Sequence, residues 1–142
     1  MQFACGEAKK MPNTSVVLAA VAAGGALGAT GRYLLGRALA GQGGSFFHLP
    51  TGTLTANALG CFAAGLLMGW VSTRAVPSEL MLAFLMTGIL GGFTTFSAFS
   101  FETLRLAQGG LMAAAVFNVV MNLIVSLVGV VLGWHLIQAL SR

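Results

Sequence analysis

The sequence predicts an all-α membrane protein with four transmembrane helices per subunit, and three observations carry that prediction. Hydrophobic residues make up 57% of the 142-residue chain and charged residues 7%, whereas a soluble domain carries roughly 25% charged residues. The apolar residues fall into four long runs, separated by short stretches that hold Gly, Pro50, Pro77 and charges. The 20 glycines suit closely packed membrane helices better than a leucine-rich soluble bundle. This hydrophobicity excludes disorder. Seven basic and three acidic residues cannot cover a globular surface, so little room is left for a soluble catalytic domain. The net charge of +4 comes from scattered bases, whereas nucleic-acid binding needs them clustered on one face.

The four spans run Val16–Leu39, Gly52–Ser72, Leu80–Ala107 and Gly110–Ala139. At ~1.5 Å per residue the shortest reaches about 31 Å, against a hydrocarbon core of about 30 Å. Connections are expected at Ala40–Thr51, Thr73–Glu79 and the Gln108-Gly109-Gly110 turn. Trp70, Trp134 and Tyr33 lie toward span ends, where amphipathic rings favour the interface. The expected organisation is an N-terminal tail over 1–14 and a four-helix transmembrane subunit over 15–142, with Met11 an alternative start. Ala20-Val21-Ala22 mimics a signal-peptide cleavage site, but the apolar pattern continues to Leu39. Cys5 and Cys61 are not expected to pair; Cys61 reads as a small buried residue.

An even number of spans puts both termini on one side. That side carries Lys9, Lys10, Arg74 and Arg142; the other carries Arg32, Arg37 and Arg105. So small a bias gives almost no orientation by the positive-inside rule. Either another cue orients the chain, or copies insert both ways and pair as an antiparallel homodimer.

The third span holds the informative chemistry. Gly91 lies about 16 Å past Leu80, near the bilayer midplane, among Gly88, Gly92, Thr94 and Thr95. Gly costs about 1 kcal/mol against Ala in a helix. The cluster reads either as a helix break that frees carbonyls and N–H groups for ions, or as glycines for close helix packing. Phe96 and Phe99 share a helical face with Ser100 and Thr103. Spacing alone favours packing for the two rings, although a ring edge is positive and can meet an anion. Asn57 in the second span needs a polar partner inside the membrane. Asn118, Asn122 and Ser126 repeat at i, i+4, i+8 as one polar stripe, for interhelical hydrogen bonds, a polar pathway or both. Arg32 is expected to snorkel to the interface. Glu102 and Arg105 are spaced to form an ion-pair anchor or to shape a vestibule field. His48 and His135 have no ligand-spaced partners, and no Ser/His/Asp or paired-carboxylate set exists, so an enzyme is not expected.

The segment Gly88-Ile-Leu-Gly-Gly-Phe-Thr-Thr-Phe-Ser-Ala-Phe-Ser-Phe-Glu102 closely resembles the signature of the Fluc (CrcB-type) fluoride channels. Gly24-Gly-Ala-Leu-Gly-Ala-Thr-Gly-Arg-Tyr33 and Gly52-Thr-Leu-Thr-Ala-Asn-Ala-Leu-Gly60 support it in order and spacing. The resemblance covers roughly Ser15 to Ala139. It implies an antiparallel, dual-topology homodimer with a third helix broken near the midplane, in the inner (plasma) membrane of a bacterium. It implies passive export that lowers cytoplasmic fluoride through two pathways. Backbone carbonyls at Gly91 and Thr94, from both subunits, would hold a structural sodium ion. The fluoride pathway would be lined by Asn57, Thr95, Phe96, Phe99, Asn118, Asn122 and Ser126, with fluoride and membrane lipid as partners and no nucleic acid. On the fourth span the family often carries hydroxyl-bearing residues where this chain has asparagines. The alternative is a proton-coupled multidrug-type exporter, which would need an intramembrane carboxylate; a scaffold subunit would need no polar stripe.

Overall fold

The computed structural model describes residues 12–40, 50–73 and 77–141. The expected tail with Cys5, Lys9, Lys10 and Met11, together with His48, Arg74 and Arg142, lies wholly or largely outside the described residues. The described chain is all helical: α1 (Thr14–Ala40), α2 (Thr51–Thr73), α3 (Glu79–Leu82), a π-helical segment (Ala83–Leu90), α4 (Gly91–Phe93), α5 (Phe96–Gln108) and α6 (Met112–Leu140). Among the described residues, four stretches are long and apolar enough to cross a membrane: Thr14–Ala40, Thr51–Thr73, Glu79–Gln108 and Met112–Leu140. These bounds fall within about two residues of those expected from the apolar runs. The fourth starts at Met112 because Gly110 adopts φ +78° in the preceding turn, a left-handed conformation that suits glycine.

The third span is the irregular one. Ser78 caps its start, its side chain accepting the Met81 N–H. The next eight residues are π-helical, and the Gly91 N–H reaches back to the Met86 carbonyl. Thr94 (φ −84°, ψ 154°) and Thr95 (φ −153°, ψ 120°) are extended. Thr95 then caps α5, its hydroxyl accepting the Ala98 N–H at 3.2 Å. The glycines of this region stay inside helical segments, and the two threonines form the non-helical link.

Glycine sets the helix packing. Helix α2 packs mainly on α6, and α1 on the π-helical segment and α4. A Cβ at Gly28 would strike the Ile89 carbonyl and lie 2.8 Å from the Phe93 nitrogen. At Gly133 it would strike the Phe62 carbonyl and lie 2.8 Å from the Leu66 nitrogen. Both neighbours are backbone and cannot rotate away, so these helices touch main chain to main chain. Large apolar side chains cover the outside, whereas the buried residues are small or polar: Ala56, Ala114, Ala115, Thr53, Asn57, Asn118 and Asn122, with Phe99 the large exception. A chain surrounded by hydrocarbon gains little from an apolar core, so its interior is free to be polar.

Gly28→Ala is expected to lower stability by about 2 kcal/mol through overpacking against backbone. Gly25→Ala, where a Cβ meets nothing within 4 Å, is expected to be neutral or slightly stabilising. Equilibrium unfolding in mixed detergent micelles compares the two.

Candidate functional site

Asn57 stands on the buried face of α2, one helical turn beyond Thr53. It holds both polar groups of the Thr95 peptide unit. The Thr95 N–H donates to Asn57 Oδ1 at 2.8 Å, and Asn57 Nδ2 donates to the Thr95 carbonyl at 3.3 Å. A continuous helix would send the Thr95 N–H to the Gly91 carbonyl. It would likewise send the Ala98 N–H, here taken by the Thr95 hydroxyl, to the Thr94 carbonyl. The Gly91 and Thr94 carbonyls are therefore the two whose helical donors are diverted by side chains. Between them, the Gly92 carbonyl accepts from Arg32 Nε at 3.2 Å. Arg32 thus places its cation at the negative C-terminal end of the first half of the span, where the helix dipole favours it. Arg32, expected to snorkel toward the interface, donates to this carbonyl, which the approach of α1 through Gly28 brings within reach.

A second set of bonds runs from Asn57 into α6. Asn57 Nδ2 donates to Asn122 Oδ1 at 3.1 Å. Asn122 Nδ2 donates to the Asn118 carbonyl at 3.1 Å and to Asn118 Oδ1 at 3.0 Å. Asn118 Nδ2 donates to Thr103 Oγ1 at 2.8 Å, and the Thr103 hydroxyl to the Phe99 carbonyl at 2.8 Å. Asn118 is fully buried. The stripe on α6 thus makes interhelical hydrogen bonds. Ser126, one turn further on, is half-buried and is not joined to this chain of bonds.

Phe96 and Phe99 meet edge to face, with centroids 5.2 Å apart and planes at 64°. Phe99 is buried, but Phe96 is 75% exposed on the surface of the single chain. Ser100 turns its hydroxyl to the Phe96 carbonyl at 2.9 Å. Thr95 Oγ1 also lies 3.1 Å from Ser97 Oγ.

Glu102 does not form the expected anchor with Arg105. Its Oε1 accepts from Thr53 Oγ1 at 2.7 Å, across from α2. Its Oε2 is buried without a partner. Both Glu102 and Arg105 line an open cleft of about 270 Å³ with Pro50, Leu106 and Leu111, an arrangement that fits the vestibule reading of the pair. Thr53 was absent from the sequence-based site; its signal was the i, i+4 spacing to Asn57 on one face of α2.

The site is thus a polar seam inside an apolar shell: an extended two-residue link, an amide that holds it, and a row of amides and hydroxyls beside two aromatic rings. The profile of the family described as CrcB-like protein, Camphor Resistance (CrcB), matches residues 19–134. The chain belongs to this family. The CrcB-like segment contains every residue of the seam, from Arg32 to Asn122. A relative from Clostridium perfringens (strain 13 / Type A) is 43% identical over 120 residues, covering 84% of this chain and 92% of its own length. One from Agrobacterium fabrum (strain C58 / ATCC 33970) is 42% identical over 119 residues, covering 82% and 91%. One from Helicobacter acinonychis (strain Sheeba) is 40% identical over 115 residues, covering 81% and 90%. Each is named a fluoride-specific ion channel FluC.

Asn57→Leu leaves the Thr95 N–H and carbonyl and Asn122 Oδ1 without their partner. It is expected to cost about 3 kcal/mol, since each stranded buried group costs about 1–3 kcal/mol. Ser126→Ala is expected to change stability by less than about 0.5 kcal/mol. Detergent-unfolding curves of the two variants beside the parent protein check this contrast.

Proposed function

We propose that this chain is the subunit of a fluoride-selective channel in a bacterial plasma membrane, which exports fluoride passively and lowers its cytoplasmic level. The observation that carries the reading is the coincidence of two facts. Relatives covering most of the chain are named fluoride-specific ion channels, and the same stretch builds a polar seam at the Thr94–Thr95 link.

Fluoride is small and strongly hydrated, so a pore must replace its water with dipoles strong enough to admit the ion and weak enough to release it. Asn57, the Thr95 hydroxyl and the edges of Phe96 and Phe99 provide such distributed dipoles. A fixed Arg or Lys in the pore would hold the anion too tightly. Arg32 is tied to a carbonyl instead, which keeps its charge near the seam while occupying its Nε–H.

The working assembly is an antiparallel, dual-topology homodimer in which the third helix is broken near the midplane. The nearly even Lys/Arg count on the two sides supports it. So does Phe96, a large ring left 75% exposed beside the seam on one subunit. The Gly91 and Thr94 carbonyls fit a structural sodium ion, because a hard cation is held by oxygen ligands and these two have lost their helical donors. Two carbonyls from each of two subunits would make the set, and the bound cation would offset the anion's desolvation.

The experiment is fluoride efflux from liposomes carrying the purified protein, with a potassium ionophore to clamp charge and chloride as the control anion. Fluoride loss is expected to be fast and chloride loss absent. Phe96→Ile and Asn57→Asp are expected to slow fluoride by tenfold or more. A folded protein that releases no fluoride overturns the reading. Sodium is tested separately: the unfolding midpoint is expected to rise with sodium but not with potassium at equal ionic strength.

A further inference from the structure

The orientation of the three amides in the seam is fixed from both ends by backbone groups of single hydrogen-bonding sense. The Thr95 N–H can only donate, so the Asn57 atom 2.8 Å away is Oδ1. Asn57 Nδ2 therefore faces Asn122, and the Asn122 atom it meets at 3.1 Å is Oδ1. At the far side, Asn122 Nδ2 points at the Asn118 main-chain carbonyl, which can only accept. Along the path from Asn57 to Asn122 to Asn118 to Thr103 to the Phe99 carbonyl, each bond then runs the same way.

An anion needs donors, and this sense leaves few. Asn57 Nδ2 carries two N–H bonds, one directed at the Thr95 carbonyl at 3.3 Å and one at Asn122 Oδ1 at 3.1 Å. Both bonds of Asn122 Nδ2 go to Asn118. Asn122 therefore presents an acceptor, not a donor, toward Asn57. Its place in the α6 stripe suggests an anion donor, whereas the geometry gives it the opposite character.

We infer that Asn122 is a specificity-determining residue that acts through Asn57: its Oδ1 competes with the permeating anion for an Asn57 N–H. Fluoride receives that N–H only by displacing Asn122 Oδ1. Its compact charge makes it a stronger acceptor than a neutral carboxamide oxygen; chloride, larger and more diffuse, gains less from the same exchange. The competitor thus sets a threshold that fluoride passes and chloride does not. The inference rests on the proposed role of Asn57 as a fluoride donor.

Two substitutions of nearly the same shape separate this role from simple support of the fold. Asn122→Leu removes the competing oxygen, and the concentration of fluoride at half-maximal flux is expected to fall about fivefold, the equivalent of one neutral hydrogen bond. Chloride should then inhibit fluoride flux measurably. Asn122→Asp keeps an oxygen facing Asn57 and adds negative charge, and the half-maximal concentration is expected to rise tenfold or more. A merely structural residue would weaken both variants in the same direction, and that result overturns the inference. A measurement on the unchanged protein does not depend on either variant folding. With asparagine labelled by 13C at Cγ, fluoride is expected to move the Asn57 and Asn122 resonances together, and chloride neither. An Asn57 resonance that moves while Asn122 stays still overturns the inference. Fluoride flux with both resonances still removes the Asn57 role and the inference with it. No fluoride flux at all removes the channel reading itself.

Discussion

Asn57 accepts the Thr95 N–H and donates to the Thr95 carbonyl, and the polar interior of the molecule is organised around this pair of bonds. Two extended residues deep in an apolar span leave peptide groups that hydrocarbon cannot satisfy, at a cost of several kcal/mol each. The side chain on α2 supplies what the helix gave up. Because the Thr95 N–H goes to Asn57 and the Ala98 N–H to the Thr95 hydroxyl, two main-chain carbonyls lose their usual donors. The same amide reaches Asn122 with its other N–H, so the link, α2 and α6 are tied by one side chain.

These bonds form only because the helices approach closely enough. The glycines of α1 bring its backbone against the π-helical segment and α4, which lets Arg32 reach the Gly92 carbonyl. Gly65 and Gly133 do the same between α2 and α6, and Asn57 meets Asn122 as a result. Gly60 leaves room for Thr94, whose Cγ2 a Cβ at that position would strike. The glycine content that first marks the chain as a membrane protein thus has a local purpose: close crossings of α1 and of α2 with α6 bring polar groups within reach of one another.

The four spans were legible because a backbone in hydrocarbon must be helical, and runs of apolar residues leave no other reading. The end of the third loop was less so: a Gly-Gly pair announces a turn, but only φ at Gly110 places the start of α6 at Met112. The cluster from Gly88 to Thr95 was visible as a special place, with break and packing left open. The glycines lie in close helix contacts, whereas Thr94 and Thr95 are extended. Propensity could not separate them, because a helical cost of about 1 kcal/mol is no larger than one interhelical hydrogen bond. Asn57, Asn118 and Asn122 stand out in the sequence because an amide in an apolar run needs a polar partner, and each has one. The acceptor of Arg32 and the Thr53 partner of Glu102 were not, since each depends on the rotation of two helices relative to one another. Local spacing carries no information about that rotation.

The central claim is that the Thr95 N–H leaves the helix and goes to Asn57. Thr94-Thr95 is the single Thr-Thr pair in the sequence, so threonine labelled with 13C at the carbonyl and 15N at the amide identifies this peptide uniquely in bilayers. Dipolar recoupling from the Thr95 15N to 13Cγ of asparagine is the direct measurement. A short contact matching the 2.8 Å hydrogen bond is predicted. The absence of that contact, with the Thr95 amide coupled instead to the Gly91 carbonyl in a sample whose glycine is also labelled with 13C at the carbonyl, would contradict the account.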